Sequence, residues 1–470
     1  MKYLTIDFGS TYTKLTAIDG TQEKIVGTAA SFTTIETDVM EGFNKALAKL
    51  HTNIGDFQYD KLLCCSSAAG GLKMVALGLV PELTAKAAKM AAASAGAKVV
   101  KTYAYEISKS EQDEIGRIKP DLVLLCGGTD GGNKEVIIAN AKRLAQIPES
   151  FAVIVAGNKS ASYELEEVFK NADKPYVITD NVMPEFNKLN IDPAKKCIKD
   201  LFISRIIDAK GLSKAQELTP YKIIPTPLAV LNGCELLSKG TIHTPGVGDL
   251  LAVDIGGATT DIYSMSKGYP TLDSVMYKGL PEPYNKRTVE GDLGMRYSLS
   301  ALLDEVNLDL LEMNTNISSN EYKEWVEKCT KNPDLLADRG SRQQCIEENL
   351  ARMAVDIAVE RHTGIYAQAF TPMGEVFTLV GKDLSDVPYV IGIGGVIVNS
   401  QSPAYILEGA KAKPMDFEHP KPKNPFYHLD QKYIFASMGL LSSVDPELAL
   451  KLLKKEIIKV TDKETNTHEN

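Results

Sequence analysis

The sequence predicts an α/β protein assembled from two copies of one unit, and three observations carry that reading. Two short stretches are nearly alike: Asp7-Phe8-Gly9-Ser10-Thr11-Tyr12-Thr13-Lys14 and Asp254-Ile255-Gly256-Gly257-Ala258-Thr259-Thr260-Asp261. Asp7 aligns with Asp254, Gly9 with Gly256 and Thr13 with Thr260, and each Asp ends an apolar run of strand character, residues 3–6 in one copy and 250–253 in the other. From 97 to 180, short apolar runs alternate with helical periods, the pattern of a parallel sheet. Each copy also holds a late apolar strand that ends in paired glycines, Leu124-Leu125-Cys126-Gly127-Gly128 in the first and Val390-Ile391-Gly392-Ile393-Gly394-Gly395-Val396 in the second.

A chain of 470 residues exceeds one ordinary core, and its length suits about two to four domains. With 44% hydrophobic and 24% charged residues it has the composition of a globular protein rather than a disordered or membrane one. The net charge of -9 argues against a broad nucleic-acid footprint, so no nucleic-acid partner is expected. No apolar run approaches the roughly 20 residues that span a bilayer, and residue 2 already enters a strand without the regions of a signal peptide. No membrane association and a cytoplasmic location are the expectations. The seven cysteines, Cys64, Cys65, Cys126, Cys197, Cys234, Cys329 and Cys345, form no C-x-x-C pair, and the six histidines form no ligand pair. Reduced, buried thiols and no transition-metal site follow.

Taken in order, the first copy opens with strands near 2–8, 12–18 and 24–31 in an antiparallel meander, turned at Gly9-Ser10 and Asp19-Gly20. A helical period covers 38–51 and a strand 62–65. Residues 72 to 95 read as a helix kinked at Pro81, with an Ala face at Ala85, Ala88, Ala92 and Ala95. Strands near 97–103, 121–126, 151–156 and 175–179 then alternate with helices near 133–146 and 160–171. The turn Gly127–Gly132 closes a parallel strand at its carboxyl end, where open sheets place ligands, although it lacks the G-x-G-x-x-G spacing. A helix at 226–238 and a Gly/Pro-bearing link at 240–248 lead to the second meander, with strands near 249–255, 260–266 and 270–277. A polar, largely helical region runs to about 371 and holds the only tryptophan, Trp325. Residues 411–428 read as a Lys/Pro-rich surface excursion and 461–470 as a flexible tail. The domain expectation is a first lobe at 1–240 with an inserted α/β region at about 60–225, and a second lobe at 241–460 with a helical insertion at about 280–385.

The chemistry concentrates at the matched turns. Each offers an Asp at a strand tip followed by small residues whose backbone N–H groups can meet a phosphate, because glycine has no Cβ in the way. Asp7 and Asp254 are the leading catalytic candidates, and they are also the candidate magnesium residues: magnesium favours one or two carboxylates together with phosphate oxygens and retained waters. Gly9, Ser10, Thr11, Thr13 and Lys14 on one side, and Gly256, Gly257, Thr259 and Thr260 on the other, are candidates for holding the β- and γ-phosphates of ATP or ADP. Thr13 and Thr260 have a second reading as sheet residues. Gly392, Gly394 and Gly395 fit the adenosine side, since glycines after a strand let the backbone approach a flat base or ribose. Glu290 or Asp292, in Glu290-Gly291-Asp292-Leu293-Gly294-Met295-Arg296, could orient the attacking water, because phosphoryl transfer depends on positioning and charge stabilisation; a helix N-terminal role competes with that reading. Two turns of this kind facing each other would clasp one polyphosphate. P-loop, nucleophile-elbow and protein-kinase signatures are absent.

In this order the three elements resemble the nucleotide-binding pattern of the actin, sugar-kinase and heat-shock chaperone superfamily. Across nearly the whole chain the sequence is more specifically similar to the glutamate mutase L family, accessory ATPases encoded with adenosylcobalamin-dependent glutamate mutase and ornithine aminomutase. The residues that carry this include Asp7 to Lys14, Gly78-Leu79-Val80-Pro81-Glu82-Leu83-Thr84, Leu124 to Gly132, Asp254 to Asp261, Glu290 to Arg296, Ile393-Gly394-Gly395 and Ala436-Ser437-Met438-Gly439-Leu440-Leu441. The resemblance implies a two-lobed actin-like ATPase fold with duplicated ribonuclease H-like domains and inserted subdomains. It further implies a chaperone-like reactivating factor that binds Mg-ATP and frees damaged cobalamin from a partner aminomutase. Ligand-driven lobe movement requires ATP and ADP to favour different arrangements, one of which the partner binds better.

Rival readings remain open. A small-molecule kinase of the same fold would need a base facing a substrate hydroxyl, which no residue singles out. An activator of radical dehydratases shares the Asp-x-Gly-Ser-Thr-x-Thr-Lys pattern, but the unpatterned cysteines do not suit an iron–sulfur cluster. Hydantoinase-like hydrolysis and a filament-forming actin relative find less support, and the sequence leaves a homo-oligomer open.

Overall fold

The computed structural model of the chain describes residues 1–34, 38–67, 73–209, 212–372 and 374–460. It divides into two compact units, the first formed by Met1–Gly233, Gly279–Pro281 and Phe435–Leu452, the second by Cys234–Lys278, Glu282–Ile434 and the residues from Leu453 on.

The first unit opens with strands β1 (Lys2–Phe8), β2 (Tyr12–Asp19) and β3 (Lys24–Phe32), then helix α1 (Val39–Ile54) and strand β4 (Lys61–Ser66). The three leading strands are antiparallel, in register with Asp7 opposite Lys14, and β4 runs parallel to β1. Asp38 caps α1 by accepting from the Met40 N–H, which satisfies one of the orphan donors of the first turn. The apolar residues of β1 and β2 face α1, so that Leu4, Ile6, Phe8, Leu15, Phe43, Ala46 and Leu50 share one core.

An α/β segment comes next: β5 (Lys73–Gly78), α2 (Lys86–Ser94), β6 (Lys98–Ala104), α3 (Lys109–Ile118), β7 (Leu122–Leu125), α4 (Glu135–Ala145), β8 (Ala152–Val155), α5 (Ser162–Asn171) and β9 (Tyr176–Ile178). Its strands form one parallel sheet in the order β6-β5-β7-β8-β9. Every residue of β7 and β8 is buried, the uninterrupted apolar run of a strand covered on both faces. The expectation of one helix over 72–95 is overturned. Lys73–Gly78 is a strand paired on both sides, and the helical turns begin only at Pro81; Leu72 lies outside the described residues. The Ala-rich composition had favoured helix, and pairing with β6 and β7 overrides it. Ala85, Ala88, Ala92 and Ala95 are all buried.

The first unit's main sheet is completed by β10 (Ile224–Pro225), reached through α6 (Asp192–Ala209) and α7 (Ser213–Glu217) and lying parallel to β4. Helix α8 (Thr226–Lys239) then leads to β11 (Leu250–Ile255), β12 (Thr260–Met265), β13 (Val275–Tyr277) and β14 (Asn285–Glu290). After them come α9 (Leu299–Glu305), α10 (Leu308–Thr315), α11 (Ser319–Lys331), α12 (Arg342–His362), β15 (Ile365–Thr371), β16 (Gly374–Val380) and β17 (Tyr389–Ile393). The chain closes with α13 (Gly395–Val398), α14 (Pro403–Leu407), β18 (Phe426–Leu429), α15 (Phe435–Leu441), α16 (Pro446–Glu456) and β19 (Ile458–Lys459).

The second unit's main sheet runs β14-β12-β11-β17-β18-β19, and the first unit's runs β10-β4-β1-β2-β3. In each, a meander of three antiparallel strands is followed by a fourth strand parallel to the first and a fifth parallel to the fourth. The protein is therefore α/β, with a ribonuclease H-like strand order present in each of its two units. Two assignments change. The third strand of the second meander is Asn285–Glu290, whereas the expected strand at 270–277 supplies Val275–Tyr277 to a separate sheet, β13-β16-β15. The region at 280–385 mixes helices with β14, β15 and β16 rather than being helical throughout. Residues 435–452 fold with the first unit: every residue of α15 is buried, and its Gly439 lies so close to α8 that a Cβ there would sit 1.8 Å from the Ala229 carbonyl oxygen.

The expected excursion at 411–428 is pinned down. Lys421 is fully buried and donates to Asp356 on α12, which also pairs with Lys413, and Phe426–Leu429 joins the sheet. The tail at 461–470 lies outside the described residues.

Candidate functional site

In the first unit, the β1–β2 hairpin carries the first matched turn. Asp7 is half-buried, and its Oδ1 accepts from the Thr226 hydroxyl at 2.6 Å and the Cys65 thiol at 3.5 Å. Burial and the Asp7 charge push the Cys65 thiol well up, so it stays protonated. The Gly9 N–H donates to the Tyr12 carbonyl at 3.1 Å, and a Cβ on Gly9 would sit 2.5 Å from that oxygen, so only glycine closes the turn this tightly. Ser10 and Thr11 are exposed at its tip and Lys14 is half-buried. Thr13 is fully buried, with its hydroxyl 3.0 Å from that of Thr33. Its role is internal.

The second turn repeats this geometry. The Gly256 N–H donates to the Thr259 carbonyl at 2.9 Å, and Asp254 lies opposite Asp261 on β12 and Ile393 on β17. The Thr260 hydroxyl is buried and donates to the Leu293 carbonyl at 2.7 Å, which makes this threonine, like Thr13, a sheet residue. Thr259 donates to Asp261 at 3.1 Å, and Asp261 in turn takes the buried guanidinium of Arg287 at 2.8 Å and 2.6 Å. The segment after β14 wraps the turn. The N–H groups of Met295, Arg296 and Tyr297 donate to the carbonyls of Gly256 and Gly257, the Ser298 hydroxyl donates to that of Ala258, and Arg296 pairs with Glu347 of α12 at 2.9 Å.

Glu290 is opposite Thr260 in the sheet, so it stands beside the second turn. Arg361, in the last turn of α12, donates to Glu290 at 3.0 Å, Asp292 at 2.7 Å and Glu305 at 3.0 Å. Burial works against the Arg361 charge, yet Asp292 and Glu290 outweigh it and hold the guanidinium above its ordinary value.

The three glycines of the last motif separate into different roles. Gly394, with φ of 98°, presses on the turn: a Cβ would meet the Ile255 carbonyl at 2.3 Å and the Asp254 carboxylate at 3.0 Å. Gly395 is exposed and opens α13 beside Asn399 and Tyr433, whose side chains are 3.4 Å apart. Gly392 is buried, with Ile397 and Leu407 where its Cβ would be, and serves packing.

A sequence model described as MutL protein matches residues 3–457. The chain belongs to the MutL family. It is 46% identical over 463 residues to Protein MutL of Clostridium tetanomorphum, covering 97% of this chain and 99% of that one. Among solved structures, similarity extends to an activator of 2-hydroxyisocaproyl-CoA dehydratase from Clostridium difficile with bound ADPNP, at 12% identity and a TM-score of 0.31, covering 98% of this chain and 100% of that one. It extends also to gluconate kinase from Lactobacillus acidophilus, at 9% identity and a TM-score of 0.34, covering 98% and 92%. The fold assignment for this MutL-family chain rests on its own strand order.

Three residues of this MutL-family chain carry no motif and emerge only from the structure: Thr226 on Asp7, Arg361 on the two acids, and Asp430. Asp430 is buried and caps the Ile434 N–H at 2.9 Å. Burial first, then the charges of Asp254 and Asp430, push the Cys234 thiol far up. At the other end of β11, a cleft of about 450 Å³ is lined by Asp249, Lys267, Tyr269, Tyr284 and Asp386. All seven cysteines are free, and no described helix is long and apolar enough to cross a membrane.

Proposed function

We propose that this chain is a Mg-ATP-dependent ATPase that reactivates an adenosylcobalamin-dependent aminomutase by promoting release of damaged cobalamin. The observation that supports it most is the repeated strand–Asp–Gly turn on two units of one strand order, in a chain of the MutL family. Each turn contributes phosphate contacts in this reading. Ser10, Thr11 and the backbone of Gly9 contact phosphate from the first turn, with Lys14 as the cation; Gly256, Gly257 and Thr259 contact it from the second. Asp7 and Asp254 would hold magnesium, and both are half-buried carboxylates at strand tips, the donor type that hard cation prefers. Magnesium, when bound, would neutralise charge developing on the phosphates.

The chain's own residues do the rest. Glu290 orients a water toward the γ-phosphorus; the new P–O bond forms as the bond to the β–γ bridging oxygen breaks, that electron pair leaves on ADP, and the water's proton passes through Glu290 to solvent. Gly395, Asn399 and Tyr433 receive the adenosine. Release of ADP and inorganic phosphate changes which conformation the aminomutase binds. A cytoplasmic location suits the free thiols.

The test is ATP hydrolysis by the purified chain with magnesium and no acceptor, together with co-precipitation of an aminomutase holding inactive cobalamin in the presence of ATP or ADP. Slow hydrolysis and nucleotide-dependent association are expected. Turnover that appears only with an added hydroxylated substrate would replace this reading with a kinase.

A further inference from the structure

We propose that Arg361 is the positioning residue of the hydrolytic carboxylates, holding Glu290 and Asp292 at the second turn in the orientation that activates water. This rests on the ATPase reading and deepens it. A guanidinium presents its donors in a planar fork, so each acceptor it binds is fixed in direction as well as distance. Arg361 uses Nη1 for Glu290 and Asp292 and Nη2 for Glu305, and the three acids come from the end of β14, the turn after it and the end of α9. Without the cation, three like charges would repel one another and spread.

An exposed ion pair usually contributes little, but Arg361 is anchored rather than loose. The next residue, His362, is fully buried, with Nδ1 2.8 Å from the Thr288 hydroxyl and Nε2 2.8 Å from that of Ser264, and its carbonyl accepts from Lys286 at 2.6 Å. These partners lie on β12 and β14, the strands that carry Thr260 and Glu290. Arg361 is thus registered to the turn it serves. It takes only Oε2 of Glu290, leaving Oε1 to accept from the attacking water. A cation in the last helical turn also complements the helix dipole.

The experiment compares Arg361→Ala and Arg361→Lys in the full chain, reading kcat and KM for ATP, affinity for a fluorescent ATP analogue, and melting temperature. Arg361→Ala is expected to lower kcat about 10- to 100-fold, a part of the roughly 10²- to 10⁴-fold that one acid–base group contributes, because Glu290 remains in place without its guide, while KM and analogue affinity stay within about threefold of the parent. Arg361→Lys restores only part, because a point charge lacks the fork, and added guanidinium ion restores part of the Arg361→Ala loss. Glu290→Gln combined with Arg361→Ala should be no slower than Glu290→Gln alone, since Arg361 acts through Glu290. A kcat for Arg361→Ala within about twofold of the parent, or losses that multiply in the double variant, would overturn the inference. Should Arg361→Ala melt below the assay temperature, Arg361→Lys reads the same cycle. A parent that hydrolyses no ATP defeats the ATPase reading itself, whereas a parent that hydrolyses ATP as fast as Glu290→Gln leaves that reading standing and removes the role of Arg361.

Discussion

The first and second turns share a backbone and differ in what surrounds it. Around Asp7, among the described residues, Ser10 and Thr11 are exposed at the hairpin tip, and the side chains on the carboxylate are a threonine and a thiol. Around Asp254 the tip is enclosed by residues 291–298, flanked by Glu290 and Asp292, and pressed by Gly394. Duplication therefore supplied two glycine-closed turns, and among the described residues the end of β14 and the segment after it set Glu290 and Asp292 beside the second. On the proposed function, the first turn would serve binding and the second turnover.

The sharpest way to break this contrast is Asp254→Asn, for which ATP hydrolysis should fall by about 10²–10³-fold with an unchanged melting temperature. Asp7→Asn should weaken nucleotide binding as well, and if both variants lose only kcat, the two turns do not divide the work as described. Gly394→Ala comes next. Its Cβ would collide with the Ile255 carbonyl at 2.3 Å in a conformation with φ of 98°, so a loss of about 2–4 kcal/mol in denaturant unfolding is expected.

Smaller effects sharpen the comparison. Lys382 is 1% exposed beneath the strand ends of the second unit, donating to the Ser266 and Tyr284 carbonyls at 2.7 Å each, and burial lowers its pKa to about 7. Because the folded value lies below the unfolded one, the unfolded chain holds the proton more tightly above about pH 7. Stability should therefore rise with pH between about 7 and 10, by at most about 1.4 kcal/mol per pH unit. Unfolding curves on Lys382→Met should lose that slope. His362 acts on the acid side: burial holds it neutral when folded, so stability falls as pH drops below the ordinary histidine value and the unfolded chain takes up a proton. Thr260→Val should cost about 1–3 kcal/mol by leaving a buried carbonyl unpaired, with kcat little changed. Ser10→Ala should do the reverse, weakening nucleotide binding by about 1 kcal/mol with no change in unfolding.

The matched turns were legible because Asp, Gly and Thr at fixed offsets after an apolar run record a backbone geometry locally. The parallel sheet at 97–180 was legible for a similar reason, since fully buried strands leave unbroken apolar runs. The strand Lys73–Gly78 was not. Its alanine-rich continuation has strong helical propensity, and only neighbours distant in sequence make it a strand. The third strand of the second meander was misplaced because Asn285–Glu290 is polar and carries no apolar run of strand character, and only its pairing with β12 makes it a strand. Thr13 and Thr260 looked like phosphate contacts by position, but strand alternation turned both inward. Arg361, Thr226 and Asp430 had no local signature at all.

What the amino-acid order determined unaided is the duplication, the α/β class and the two glycine-closed turns, since each depends on periodicity and on residues lacking a Cβ, properties expressed within a few positions. Which carboxylates meet which cations was decided only by the tertiary structure. An arginine in the last turn of α12 reaches an acid ending β14 through strand pairing and helix packing, and neither is written in the spacing between them.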